Sequence, residues 1–264
     1  MRIRRDVARR RLGIGVFVIV ALAVCPNAFA DEVLVMSAGN TTPALLKLAP
    51  QFERSTGHKV VAVATEMGVG TNSLPNRIRR GEPVDVLLSF AGQIDDLTKE
   101  GHMVAGSRLD LARSRIGLAV RAGAPKPGIR TLDDIKRALL GAKSVALSVQ
   151  VSGVFVSTEL LPRLGIAEQV LPKVRRVEGE LVADVLARGE AELGIQQISE
   201  LLTASGIDYV GPLPADAQLV TVMSGGILAS SRNRDAARAL LQFLASRGSA
   251  AAISATGLEP VTLP

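Results

Sequence analysis

The sequence predicts an α/β protein folded as two lobes with mostly parallel sheets, and three observations predict it. Short apolar runs bounded by turn residues recur along the chain, as for strands buried on both faces. Each is followed by a segment of helical periodicity, so strand and helix signals alternate. Roughly ten strand signals are more than one compact sheet holds, which favours two lobes of about 100 residues each.

Residues 1–30 stand apart. Arg2, Arg4, Arg5, Arg9, Arg10 and Arg11 form a basic start, Leu12–Val24 an apolar core, and Ala28-Phe29-Ala30 a small-residue cleavage site. This is the pattern of a secretory signal peptide cut after Ala30, because the apolar core is too short to span a membrane. The paired arginines leave general secretory and twin-arginine export both open. Cys25 would carry a lipid only if cleavage fell before it, and Val24 is a poor match for that. Of 31 Lys and Arg and 25 Asp and Glu, the leader holds six arginines and Asp6, which leaves 25 basic and 24 acidic residues. The mature chain is close to neutral, so its high pI does not point to a nucleic-acid partner. It also has no Cys, no Trp and one Tyr. Burial of an aliphatic core must stabilise it without disulfides, and little remains for aromatic stacking platforms.

The first unit is a strand at Val33–Met36, a polar loop Ser37-Ala38-Gly39-Asn40-Thr41, and a helix with Thr42 as N-cap and Pro43 at its first position. Leu45, Leu48, Ala49 and Phe52 make one apolar face, and Gly57 stops the helix. The free N–H groups of such a first turn favour anionic or strongly hydrogen-bonding groups beyond the strand end. Lys59–Thr65 is a second, almost continuously apolar strand, followed by the glycine-rich turn Glu66–Asn72 and a helix to Arg80. Val84–Ser89 is a third strand, and Gln93–Glu100 a helix closed by Gly101. Arg115–Arg121 is a fourth strand. Thr131-Leu132-Asp133-Asp134 opens a helix with a capping box in which Asp replaces Glu, burying Leu132, Ile135 and Leu139. Ser144–Ser148 is a strand, leading to a helix through Leu164 that Gly165 stops. Strands at Val174–Val177, Leu193–Gln196 and Tyr209–Val210 alternate with helices at Gly179–Ala187 and from Ser199. Leu219–Ala229 is extended, and a helix pair follows from Arg232.

Gly68-Val69-Gly70-Thr71-Asn72-Ser73 imitates a dinucleotide fingerprint. Ser73 stands where the third glycine belongs, however, and Asp85 begins the next strand instead of ending it. His58 and His102 sit beside glycine turns with no further ligand at metal spacing. G-x-S-x-G, Walker A and H-E-x-x-H patterns are missing. These observations lead to an expectation of no metal, no cofactor and no enzymatic activity.

SAGNTTPALLKLAPQFERSTGHKV from Ser37, the glycine turn, RIRRGEPVDVLLS from Arg77, LARGEAELGIQQ from Leu186 and RALLQFLAS from Arg238 resemble the periplasmic solute-binding proteins of bacterial ABC importers. The branch most similar is the molybdate-binding type, and the resemblance covers residues 31 to about 260. It implies a type II periplasmic-binding fold: two α/β lobes, a two-strand hinge and ligand held in the cleft. Residues 31–112 and 219–264 would form the first lobe and 113–218 the second, with crossings near Ala112–Leu118 and Asp216–Met223. It also implies a periplasmic monomer that captures a small anion by hinge closure and delivers it to an inner-membrane ABC permease. The ligand contacts carried over are Ser37, Gly39, Asn40 and Thr41 in the first loop and Gly68, Gly70 and Thr71 in the second. Ser148, Ser152, Gly179 and Gln197 are those of the second lobe. Molybdate binders typically place a tyrosine where this chain has Gln197, and Glu66, Glu178 and Glu180 flank loops that would receive a dianion. The expected ligand is therefore a molybdate-like oxyanion or a small organic acid, and the alternatives to transport are sensing through a partner and, less favoured for want of a nucleophile–base pair, a periplasmic enzyme on the same fold.

Overall fold

The computed structural model describes residues 31–65 and 70–261. The leader expected at 1–30 and the proposed contact Gly68 lie outside the described residues. Strand β1 (Glu32–Ser37), helix α1 (Thr42–Thr56), β2 (Lys59–Val63), α2 (Leu74–Arg79), β3 (Val86–Phe90) and α3 (Ala91–Lys99) form the first run. A middle run follows with β4 (Leu109–Arg121), α4 (Leu132–Gly141), β5 (Val145–Ser148) and α5 (Val151–Phe155). Helix α5 continues through a π-helical turn, Val156–Leu160, into α6 (Leu161–Arg163). Then come α7 (Ala167–Val170), β6 (Val174–Val177), α8 (Val182–Ala187), β7 (Leu193–Gln197), α9 (Ile198–Leu201) and β8 (Ile207–Pro212). The chain closes with β9 (Val220–Ile227), α10 (Arg234–Leu244), α11 (Ala250–Ser254) and β10 (Glu259–Pro260).

Among the described residues the strands lie in the order β2-β1-β3-β9-β4-β7-β5-β6, with β8 and β10 also paired to β4. Pairing is parallel within β2-β1-β3 and within β7-β5-β6. Every pairing of β4 and of β9 is antiparallel. Strand β4 changes core along its length. Leu111 and Ala112 pack with Val33, Leu45, Phe52, Leu240 and Leu241, whereas Ile116 and Leu118 pack with Ile135, Leu139, Leu160 and Leu193. The first core is built from both ends of the chain, and the second from its middle.

Most local expectations hold. Leu45, Leu48, Ala49 and Phe52 are buried on α1, and Gly57 ends that helix at a φ of 82°, a left-handed conformation that glycine adopts without strain. Thr131 accepts from Asp134 N at 3.1 Å and Asp134 accepts from Thr131 N at 3.0 Å, completing the capping box.

Several differ. The cap of α1 is Thr41, with Thr42 already helical, because the Thr42 hydroxyl bonds the Ala38 carbonyl and the Ser37 hydroxyl instead of an N–H of the first turn. Strand β2 ends at Val63 and lies at the sheet edge, so its valines are partly exposed despite the apolar sequence. Strand β4 begins at Leu109, six residues before Arg115, since Asp110 and Arg113 interrupt the apolar run that marked it. Gly179 does not open α8. It occupies a turn at a φ of 77°, and the helix begins at Val182.

Asp85 sits just before β3 and is buried. Its Oδ2 accepts from Leu34 N at 2.9 Å and its Oδ1 from the Ser231 hydroxyl at 2.6 Å, which ties β1 to the turn after β9. Its role is structural, which accounts for its place at the start of the strand. Asp85→Ala leaves a buried N–H without a partner and is expected to cost about 3 kcal/mol. Chemical denaturation measures it, and an unchanged midpoint would refute the assignment.

Candidate functional site

A cleft of about 630 Å³ opens between the two cores. The first lobe lines it with Ser37-Ala38-Gly39, Thr65, the start of α2 at Ser73-Leu74-Pro75, and Ser89, Phe90 and Gln93. The second lobe lines it with Val149-Gln150-Val151, Val154, Phe155 and Glu159. The walls follow from the fold: β1 and β5 both end here, and helices α1 and α5 both begin here. In the first loop Thr41 N and Thr42 N donate to Ala38 O, and Ala38 N donates to Leu88 O. Among the described residues the N–H groups of Gly39 and Asn40 have no protein acceptor, which leaves them to an oxygen-rich ligand. On the opposite wall Gly153 lets α5 pack hard against the end of β5. A Cβ there would meet the Ser148 carbonyl oxygen at 1.8 Å.

The residues proposed from sequence divide into three groups. Ser37 and Gly39 line the cleft. Asn40, Thr41, Ser148, Ser152 and Gln197 are buried beneath it. Gly70, Thr71 and Gly179 are exposed and lie outside its lining. The buried group is hydrogen-bonded inward: Ser148 and Ser152 hydroxyls are 3.2 Å apart, and Thr41 donates to Ala38 O at 2.9 Å. Asn40 Nδ2 lies 3.1 Å from Met223 Sδ, and Gln197 Oε1 accepts from the Ser114 hydroxyl at 2.6 Å. Two of these side chains are half-satisfied. Asn40 is 1% and Gln197 3% exposed, yet Asn40 Oδ1 and Gln197 Nε2 have no partner.

Two charged residues of the cleft were not read as site residues from sequence. Arg79, at the end of α2, reaches the lining while its guanidinium grips the Glu100 carboxylate through two bonds of 2.7 Å. That pairing holds the arginine pKa above its usual value and the Glu100 pKa below it. Glu159 comes from the π turn. Arg79 lay within the stretch RIRRGEPVDVLLS that carried the resemblance, and Glu159 had no sequence signal beyond a polar position in a helix. Among the described residues, they are the only ionisable side chains lining the cleft.

Below the end of β7, Glu200 on α9 is buried, and burial pushes its carboxyl up to about 7 against a hydrogen bond from Gln196 that pulls it down. Between about pH 4.5 and 7 the folded protein therefore binds more protons than the unfolded chain, so stability falls as pH rises through that window. A denaturation midpoint that falls from about pH 5 to about pH 8, with a smaller fall in Glu200→Gln, is the expected outcome. Equal falls in both proteins would show that Glu200 does not titrate there.

The family described as bacterial extracellular solute-binding protein matches residues 33–259. "Aconitate isomerase" from a Pseudomonas species is 41% identical over 251 residues, covering 95% of this chain and 96% of that protein. The molybdate-binding protein ModA of Azotobacter vinelandii is 31% identical, over 87% of this chain and 90% of that protein. The solved periplasmic molybdate-binding protein of A. vinelandii superposes with a TM-score of 0.70 at 24% identity, covering 88% of this chain and 100% of that one. The sulfate-binding protein SubI of Mycobacterium tuberculosis superposes with a TM-score of 0.65 at 19% identity, covering 88% and 87%. These likenesses establish the two-lobed type II periplasmic-binding fold. They also correct one expectation: the relative at 41% identity carries an enzyme's name, which overturns the reading of a chain without enzymatic activity. With a match that spans both cores and the cleft between them, the chain belongs to the bacterial extracellular solute-binding protein family.

Proposed function

We propose that this protein binds an unsaturated tricarboxylic acid of the aconitate type in the interlobe cleft and interconverts its isomers. The observation that carries the reading is the 41% identity to a protein named aconitate isomerase over 95% of the chain, against 31% to a molybdate-binding protein. The cleft supports it. Leu74, Pro75, Phe90, Val149, Val151, Val154 and Phe155 offer apolar walls to a carbon skeleton, which a compact inorganic oxyanion lacks. The N–H groups at Gly39 and Asn40 and the guanidinium of Arg79 suit carboxylates spread over such a skeleton.

In this reading the lobes are 31–112 with 219–264, and 113–218, and they close about the crossing of β4 and β9. Ser37 and Gly39 meet the substrate in the cleft, and Asn40, Thr41, Ser148, Ser152 and Gln197 support its floor from beneath. Gly70, Thr71 and Gly179 belong to the loops at its rim, and Gly68 stays a contact proposed from the sequence. The protein acts in the periplasm as a monomer. Delivery of bound acid to an inner-membrane ABC permease is a second role, favoured by membership of the solute-binding family.

Incubating the purified protein with cis- or trans-aconitate and separating the isomers by chromatography tests the activity. Interconversion in both directions is expected, together with a thermal shift by aconitate equivalent to about 2.7 kcal/mol at a hundredfold excess over Kd. Molybdate is expected to give no shift. A shift with molybdate and none with tricarboxylates would overturn the reading.

A further inference from the structure

We propose that Glu159, presented by the π turn of the α5–α6 helix, is the general base that moves the proton during isomerisation. This rests on the isomerase reading of the cleft.

Moving a double bond within an unsaturated tricarboxylic acid requires a group that takes a proton from one carbon and returns it to another. The cleft restricts the choice. Its described lining holds no His, Lys, Cys or Tyr, and Glu159 is the carboxylate among Ser, Thr, Asn, Gln and apolar side chains. Arg79 stays cationic and cannot accept a proton. Glu200 has a carboxyl that titrates near neutrality, but it is buried and contributes nothing to the lining. Glu159 makes no hydrogen bond or ion pair with the described residues, so its oxygens are free to approach a substrate.

Glu159 follows Val151, Val154 and Phe155 at the spacing of one helix face, and a π turn falls at the same place. Leu161 N bonds Val156 O, five residues back, instead of the residue four back. The hydroxyls of Ser157 and Thr158 bond Gly153 O and Val154 O, both at 2.8 Å, competing with main-chain donors for those carbonyls. The helix widens here by one residue, and such turns recur at functional sites. Within the same helical run Val151, Val154 and Phe155 line the cleft with Glu159, so one face supplies both the apolar wall and the carboxylate.

The proposed step balances without a co-reactant. A Glu159 oxygen takes a proton from the methylene carbon: a C–H bond breaks, an O–H bond forms, and the electron pair spreads over the neighbouring double bond and carboxylate. That O–H then breaks, and its proton forms a C–H bond at the far carbon of the former double bond. The double bond now stands one position over, and Glu159 is again ionised. Closure of the lobes would bring the substrate methylene against Glu159 and exclude water.

Glu159→Gln keeps the size of the side chain and removes the base. Expected is a kcat lower by about 100-fold or more, with the aconitate-induced thermal shift retained. Exchange of the substrate methylene protons in deuterated water, followed by proton NMR, is expected to fall in parallel, and Glu159→Asp to recover part of both. A Gln variant within about threefold of the wild-type rate would overturn the assignment while leaving the isomerase reading intact. Loss of the thermal shift together with turnover would make Glu159 a binding residue and also overturn it. Wild-type protein that binds aconitate without converting it would remove both the base and the reading on which it rests.

Discussion

The antiparallel ladder between β4 and β9 is the constraint on which the rest of the structure depends. Arg113, Ser114 and Arg115 face Val222, Thr221 and Val220, at the point where β4 leaves one core for the other. Just beyond, Gln218 takes over from the strand. Its Oε1 accepts from Ile116 N at 2.7 Å, and its Nε2 donates to Ile116 O at 3.0 Å and to Leu213 O at 2.9 Å. A side-chain amide thus satisfies the backbone where regular pairing would have to bend, as the accounting of buried polar groups demands. The cleft lies where the apolar clusters on either side are joined by so narrow a ribbon.

The local devices were legible because each carries its cause within a few residues. The face of α1 from Leu45 to Phe52, the stop at Gly57 and the Thr131–Asp134 box depend on periodicity, left-handed backbone and reciprocal capping. What escaped depends on partners distant in sequence. The edge position of β2 is invisible in its apolar composition, since Val60 and Val61 read the same whether or not a further strand covers them. The start of β4 was hidden because Asp110 meets the Ser224 hydroxyl at 2.7 Å, a pairing 114 residues away that makes a charged residue acceptable in a strand. In the site, the turns were readable but the depth was not. Asn40 and Gln197 have the chemistry of contacts, yet the fold draws them beneath the cleft floor against Met223 and Ser114.

That depth bears on how the cleft works. Met223 lies on β9 opposite Ala112, and Ser114 lies on β4 opposite Thr221. Asn40 and Gln197 therefore rest on rungs of the same ladder, separated by the Arg113–Val222 pair. One has an unpartnered acceptor and the other an unpartnered donor. Buried amide atoms in that condition carry a desolvation cost that any rearrangement able to pair them would recover. The ladder thus carries, on its cleft side, two buried amides that are each half-satisfied.

The π turn at Val156–Leu160 makes chain length a chemical variable in this protein. Each residue of an ordinary helix advances the side-chain direction by roughly 100°. The extra residue held in this turn therefore sets which way everything on one side of it points relative to the other. Deleting a single residue there would turn the helix beyond it by roughly 100° relative to the part before it, without altering the identity of any cleft residue. Two proteins of this fold with the same lining residues and one residue more or less in this helix would present different surfaces to the same ligand.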